Sequence, residues 1–325
     1  MKRLFAAGLA LLLLLSLCAC RSEEIGAPLT VNSTPIDAEL FTYYLDLTYA
    51  DGTLTGREAR VAVATQSCIR YVAVNSAFAR LGLKLTEDDK EQARTRAGAL
   101  WRVFGEHYKA IGVSKETYLK IAMSDAYVER MRAALFDKGG SKEISDEVLR
   151  GYLAQNYVAV KSVQSELFDY DQLGNHVALS EEKREDLLLR YNAALEQINA
   201  GVALDFIYAS LISAGNGATA GTLKTEIVEK NDPDYPAGYF DAVTRISAGK
   251  AGLSTFGESL YLLYRVNILG DPAYFEDKRE DCLKAVSEPY LQNEITALCN
   301  AYTSVRHTAE VNKCCERVEE VRSGR

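Results

Sequence analysis

The spacing of apolar residues changes twice along this chain, and those two changes bound what it can fold into. From Ile36 to Tyr152 apolar side chains recur at the three-to-four-residue interval of packed helices. At Tyr157 the interval drops to two, and YVAVKSVQSELFDYD sets β-branched and aromatic residues in near alternation, as a strand does. After Gly270 the helical interval returns. Helix, then mixed strand and helix, then helix predicts an α+β protein in which a small α/β module interrupts a helical domain.

Capping residues sharpen the helical part. Asp37 opens a helix carrying Leu40, Phe41, Tyr44 and Leu45, and a second runs from Arg57 to Leu81 and stops at Gly82. Thr86 caps a third that ends at Gly112, Ser114 a fourth reaching Phe136, and Ser145 a short fifth. Beyond the strand at Tyr157, Ser180 caps an amphipathic helix with Leu187, Tyr191, Leu195 and Ile198 on one side. A short helix around Asp205-Phe206-Ile207, a strand from Leu223 to Val228, a helix from Tyr239 to Ile246 and a strand STFGESLYLLYRV complete the module. From Ala273 helix resumes with Pro289 as an expected kink, and AEVNK at 309–313 is read as a last short strand.

The ends and the charge limit the setting. Lys2 and Arg3 precede an apolar run from Leu4 to Leu17, too short for a comfortable membrane span and placed as an export signal. It closes on Leu17-Cys18-Ala19-Cys20, which is similar to a bacterial lipobox; the similarity implies cleavage before Cys20 and a lipid on its sulfur. Two of the 37 Lys and Arg lie in that signal, so 35 face 45 Asp and Glu in the remainder, an acidic balance that disfavours nucleic acid as a partner. Cys68, Cys282, Cys299, Cys314 and Cys315 are an odd set without regular spacing, so they predict buried thiols rather than a disulfide framework or a metal site. No nucleophile triad, zinc motif or phosphate loop is visible, and no cofactor is expected.

Several stretches in order resemble the PrsA/SurA group of extracytoplasmic foldases, whose isomerase domain is a parvulin (PpiC) domain. VNSTPIDAELFTYYL resembles their N-terminal opening, and FARLGLKLTEDD a junction between helices. AIGVSKETYLK and ISDEVLRGYLAQNYVAVKSV resemble the lead into the parvulin domain. ALEQINAGVALDFIYAS resembles its helix pair, and FDAVTRISAGKAGLSTFGESLYLLYRV its ending. The resemblance covers nearly the whole chain. It implies a SurA-like helical chaperone domain built from N- and C-terminal segments with a parvulin-like module inserted. The implied boundaries are a signal at 1–19, a tether at 20–30, a helical domain at 31–154, the module at 155–270 and a returning helical segment at 271–325.

The family's catalytic residues carry over only in part. The positions of its two strand histidines are occupied by Ser162 and Leu262, and the only histidines are His107, His176 and His307. Phe206, Leu223, Phe240 and Tyr261 are the apolar candidates for lining a substrate slot, each also a candidate for plain core. A run, VEKNDPDYPAG, is inserted before Phe240.

Prolyl isomerisation makes no bond; a catalyst lowers a barrier of roughly 18–20 kcal/mol by holding the ring in a dry slot and favouring the twisted amide. Without the paired imidazoles the resemblance implies weak isomerase activity or none. The resulting expectation is a chaperone or foldase anchored outside the bacterial cell membrane through Cys20, acting on unfolded or newly exported polypeptides. An active isomerase and a solute-binding lipoprotein are the alternatives.

Overall fold

The computed structural model describes residues 25–214 and 219–324, which form two compact units. The first comprises the chain up to Ser141 together with Glu288–Arg325; the second is the continuous segment Lys142–Ser287. The signal segment and Cys20 lie outside the described residues. No helix among the described residues is long and apolar enough to cross a membrane.

The first unit begins with two short strands, β1 (Leu29–Val31) and β2 (Thr34–Ile36), turned at Asn32, whose φ of 51° is left-handed. Leu29 and Thr30, which fall in the expected tether, are therefore already strand, and Leu29 and Val31 are fully buried. Four helices follow: α1 (Ala38–Leu47), α2 (Arg57–Arg80), α3 (Glu87–Ala110) and α4 (Lys115–Phe136). Asp37 accepts from the Glu39 amide, Thr86 and Asp89 form a reciprocal capping box, and Ser114 accepts from Thr117. Between α3 and α4 the chain turns at Gly112, at φ 81°, where a Cβ would collide with the Arg317 guanidinium.

The C-terminal portion closes the same unit. Strand β9 (Ser304–Arg306) pairs antiparallel with β1, Thr30 opposite Val305, giving the order β2-β1-β9. Helix α10 (Thr308–Ser323) then packs on α1. The expected strand at AEVNK is instead the first turns of α10, because Val311, Cys314, Cys315 and Val318 together fall at helical spacing and all four are buried. At the C-terminal end of α10, Arg322 Nε donates to buried Asp46 at 2.6 Å, and His107 Nε2 on α3 lies 3.0 Å from the second carboxylate oxygen. That carboxylate ties α1, α3 and α10 together.

The second unit opens with α5 (Asp146–Asn156), which runs directly into β3 (Tyr157–Glu166). A small hairpin, β4 (Phe168–Tyr170) and β5 (His176–Ala178), precedes α6 (Glu181–Asn199) and α7 (Leu204–Ala214). Then come β6 (Thr219–Glu229), α8 (Tyr239–Arg245), β7 (Ala251–Phe256) and β8 (Ser259–Val266). The stretch read as one terminal strand is a hairpin, β7 and β8 reversing at Gly257, φ 55°. The four long strands form one antiparallel sheet in the order β6-β3-β8-β7. Helix α9 (Pro272–Cys299) carries Pro289 in its interior, and the division between the units falls within it.

Alternation along the strands gives this sheet two cores. Val163, Leu260 and Leu262 pack with Leu187, Tyr191 and Ile207 of α6 and α7. Val158, Val160 and Leu263 pack with Tyr239 and Val243 of α8. Both faces are covered, which is why β8, SLYLLYRV, is apolar on both sides.

Candidate functional site

The α8 side of the sheet holds the candidate site. Ser162 and Gln164 of β3 share the strand parity of Val158 and Val160, and Tyr261 stands opposite Gln164 on β8. Gly238, in the left-handed region at φ 82°, starts α8, whose four-residue interval turns Tyr239 and Val243 onto the sheet. Tyr239 is 2% exposed, on the side of the sheet to which Ser162 belongs by strand parity. The Tyr261 ring meets Tyr239 edge-on at 5.8 Å and Phe256 at 5.4 Å, and Phe256 lies 5.6 Å from Tyr239. Phe240 packs partly buried against the same cluster.

The electrostatics of this face favour neutral hydroxyls. Burial, with the charge of Glu226 added, pushes the Tyr239 phenol far above its usual range despite the opposing influence of Ser162. Burial and the charge of Glu166 raise Tyr261 as well. None of the three histidines joins the cluster. His107 and His307 belong to the first unit, and His176 stacks on Phe168 at 3.9 Å in the β4–β5 hairpin, its Nδ1 3.5 Å from Glu258. The face therefore gathers hydroxyls and aromatic rings, several of them partly exposed, and no imidazole.

The sequence-derived residues divide among three places. Ser162, Phe240 and Tyr261 are together on the α8 face. Leu262 is on the other face, 1% exposed in the core against α6 and α7, because adjacent strand residues point oppositely. On the α8 side position 162 stands opposite Leu263 and Gln164 opposite Tyr261, so Ser162 and Tyr261 are diagonal neighbours. Phe206, weighed above as slot or core, is neither here: it is 76% exposed on α7, since Ile207 and Leu211 take that helix's inward positions. Leu223 lies on β6, its side chain outside the described residues.

Tyr239 and Phe256 were not singled out from the sequence. The four-residue interval of Tyr239 and Val243 was the available signal for the first, and the β7–β8 hairpin was the missing one for the second. The opposite face carries a matching hydroxyl pair, Ser165 Oγ and Tyr191 Oη at 2.7 Å, both buried. Among the described residues no cluster of histidine, cysteine, aspartate and glutamate could hold a metal ion. The five described cysteines are free thiols, and all but Cys299 are buried.

No family model and no curated protein matches the chain. Solved structures do match. The foldase protein PrsA of Lactococcus lactis is 10% identical over 91% of this chain and 99% of its own, with a TM-score of 0.40. That of Streptococcus pneumoniae is 12% identical over 79% and 84%, with a TM-score of 0.32. PrsA from Bacillus subtilis is 10% identical over 80% and 84%, with a TM-score of 0.28.

Proposed function

We propose that this protein is an extracytoplasmic chaperone of the foldase kind, anchored by lipid on Cys20, that binds unfolded exported polypeptides and has little or no prolyl isomerase activity. The observation that carries the reading is the composition of the α8 face. Partly exposed Ser162, Phe240, Phe256 and Tyr261, packed around buried Tyr239, make an aromatic, hydroxyl-bearing patch without a histidine. Such a surface binds apolar segments, but it lacks the oriented imidazoles that the family resemblance associates with twisting the amide.

The motif resemblance and a second unit formed from one continuous segment between the two parts of the first support the inserted-module architecture. The test runs two assays on the full chain. Near-stoichiometric protein should suppress aggregation of a denatured client, while a few per cent of it should leave a proline-limited refolding phase nearly unchanged. Many-fold acceleration of that phase at catalytic ratios would overturn the reading. Membrane retention of Cys20→Ala with unaltered processing would overturn the anchor.

A further inference from the structure

The inserted run before Phe240 builds a cavity. Residues 230–238 cross from the end of β6 to the start of α8 and border an open cavity of about 350 Å³. Val228, Tyr235, Pro236, Tyr239 and Phe240 supply its apolar and aromatic lining. Local bonds shape the loop. The Lys230 amide donates to the Asn156 carbonyl at 2.8 Å, Asn231 adopts a left-handed φ of 65°, and Asp232 Oδ1 accepts from the Asp234 amide at 3.0 Å. The rings of Tyr235 and Tyr239 stand 5.0 Å apart.

The lining is asymmetric in charge. Glu229, Asp232 and Asp241 line the cavity and make no ion pair among the described residues, against the single cation Lys230. Burial and the charges of Glu226, Asp232 and Asp234 raise the Tyr235 phenol, as a negative local field requires. The carboxylates do not converge as metal ligands. An open cavity with aromatic and proline walls and a carboxylate rim fits a longer group, with an aliphatic stem and a cationic head.

We propose that this cavity receives a lysine or arginine side chain of the bound polypeptide, and that the protein thereby selects client segments with a basic residue beside the part held on the α8 face. Phe240 joins the two places, since it lines the cavity and packs in the aromatic cluster. The inference rests on the client-binding reading above and names the segments that reading leaves unspecified. The stem lies against Tyr235 and Pro236 while the head reaches Asp232 and Asp241; a phosphate or carboxylate in the same place meets repulsion.

Fluorescein-labelled peptides with a proline beside lysine, norleucine or glutamate, and a lysine peptide with alanine for proline, test this by anisotropy on the full chain. The lysine–proline peptide should bind about 10-fold tighter than its norleucine counterpart at low salt, an advantage that shrinks near 1 M salt. Asp232→Asn with Asp241→Asn should abolish the advantage while leaving norleucine-peptide binding and the thermal midpoint unchanged. Equal binding of lysine and norleucine peptides overturns the cavity assignment and leaves the chaperone reading standing. Binding of no peptide, with aggregation suppression intact, overturns it too. A lysine preference that the double variant removes, in a protein that suppresses no aggregation, upholds the cavity and removes the chaperone reading.

Discussion

The assignment of adjacent residues in β8 to opposite faces has a direct thermodynamic consequence at Leu262. Leu262→His sets an imidazole into the core against α6 and α7, where the native side chain is 1% exposed. The hydroxyls of that core, Ser165 and Tyr191, already bond each other at 2.7 Å. Replacing a buried leucine forfeits part of the roughly 2–5 kcal/mol that its complete truncation costs. Burying ring nitrogens without partners adds about 1–3 kcal/mol. The expected loss in the second unit is therefore about 3–5 kcal/mol, a large share of the roughly 5–15 kcal/mol of an ordinary domain.

Tyr261→His, one residue away on the half-buried α8 face, should cost less than about 1.5 kcal/mol, since volume falls but no dry core is breached. Trp101 is the only tryptophan and lies in the first unit, so its fluorescence follows that unit alone. Hydrogen exchange of β3 and β8 peptides in urea reports the second unit separately. The loss at position 262 should deepen as pH falls, because a buried imidazole is held neutral. Equal destabilisation by the two substitutions would refute the face assignment, and with it the membership of the site.

Other perturbations test other parts of the description. Asp46→Ala strands Arg322 and His107, which it meets at 2.6 and 3.0 Å; because both partners are about one-third exposed, we expect a loss of about 2 kcal/mol, read from Trp101 in urea. Burial pushes the Cys282 and Cys315 thiols up to about 11 and raises Cys68, Cys314 and Cys299 as well; because Cys299 is the one described thiol that is not fully buried, iodoacetamide at neutral pH should label it first, with the others following only on denaturation. Burial alone would raise Glu39, but hydrogen bonds from Ser114 and Thr117 outweigh it and hold the carboxyl below its usual range. Its contribution is then present above the unfolded glutamate value, about 4.3, and lost as pH falls through the lower folded value; Glu39→Gln should flatten that acid dependence in an acid titration followed by Trp101 fluorescence.

The helices were legible because each announces itself within a few residues. Asp37, Thr86, Ser114 and Ser145 cap where their chemistry places them, and Ser180 likewise, its hydroxyl accepting from the Lys183 amide. Pairing over distance was not legible. Strands β1 and β9 are three residues each, too short for alternation to show, and only their register identifies them. AEVNK misled because five residues cannot separate a strand from a helix whose buried stripe continues to Val318. At the site, SLYLLYRV is apolar on both sides, so its sequence separates Tyr261 from Leu262 without saying which helix each one meets.

The pairing of β1 with β9 also sets an order of assembly. Strand β1 finds β2 at once, but its other edge waits for β9, as the Asp46 carboxylate waits for Arg322. During synthesis from the N-terminus, the first unit therefore spends most of its production with Leu29, Val31 and the α1 face of its core incompletely covered. The second unit, drawn from one continuous segment, has all its strands available once Val266 has emerged. Closing the longer loop costs more chain entropy and comes later. A protein read here as a guardian of unfolded chains is thus, for most of its own synthesis, a chain of that kind.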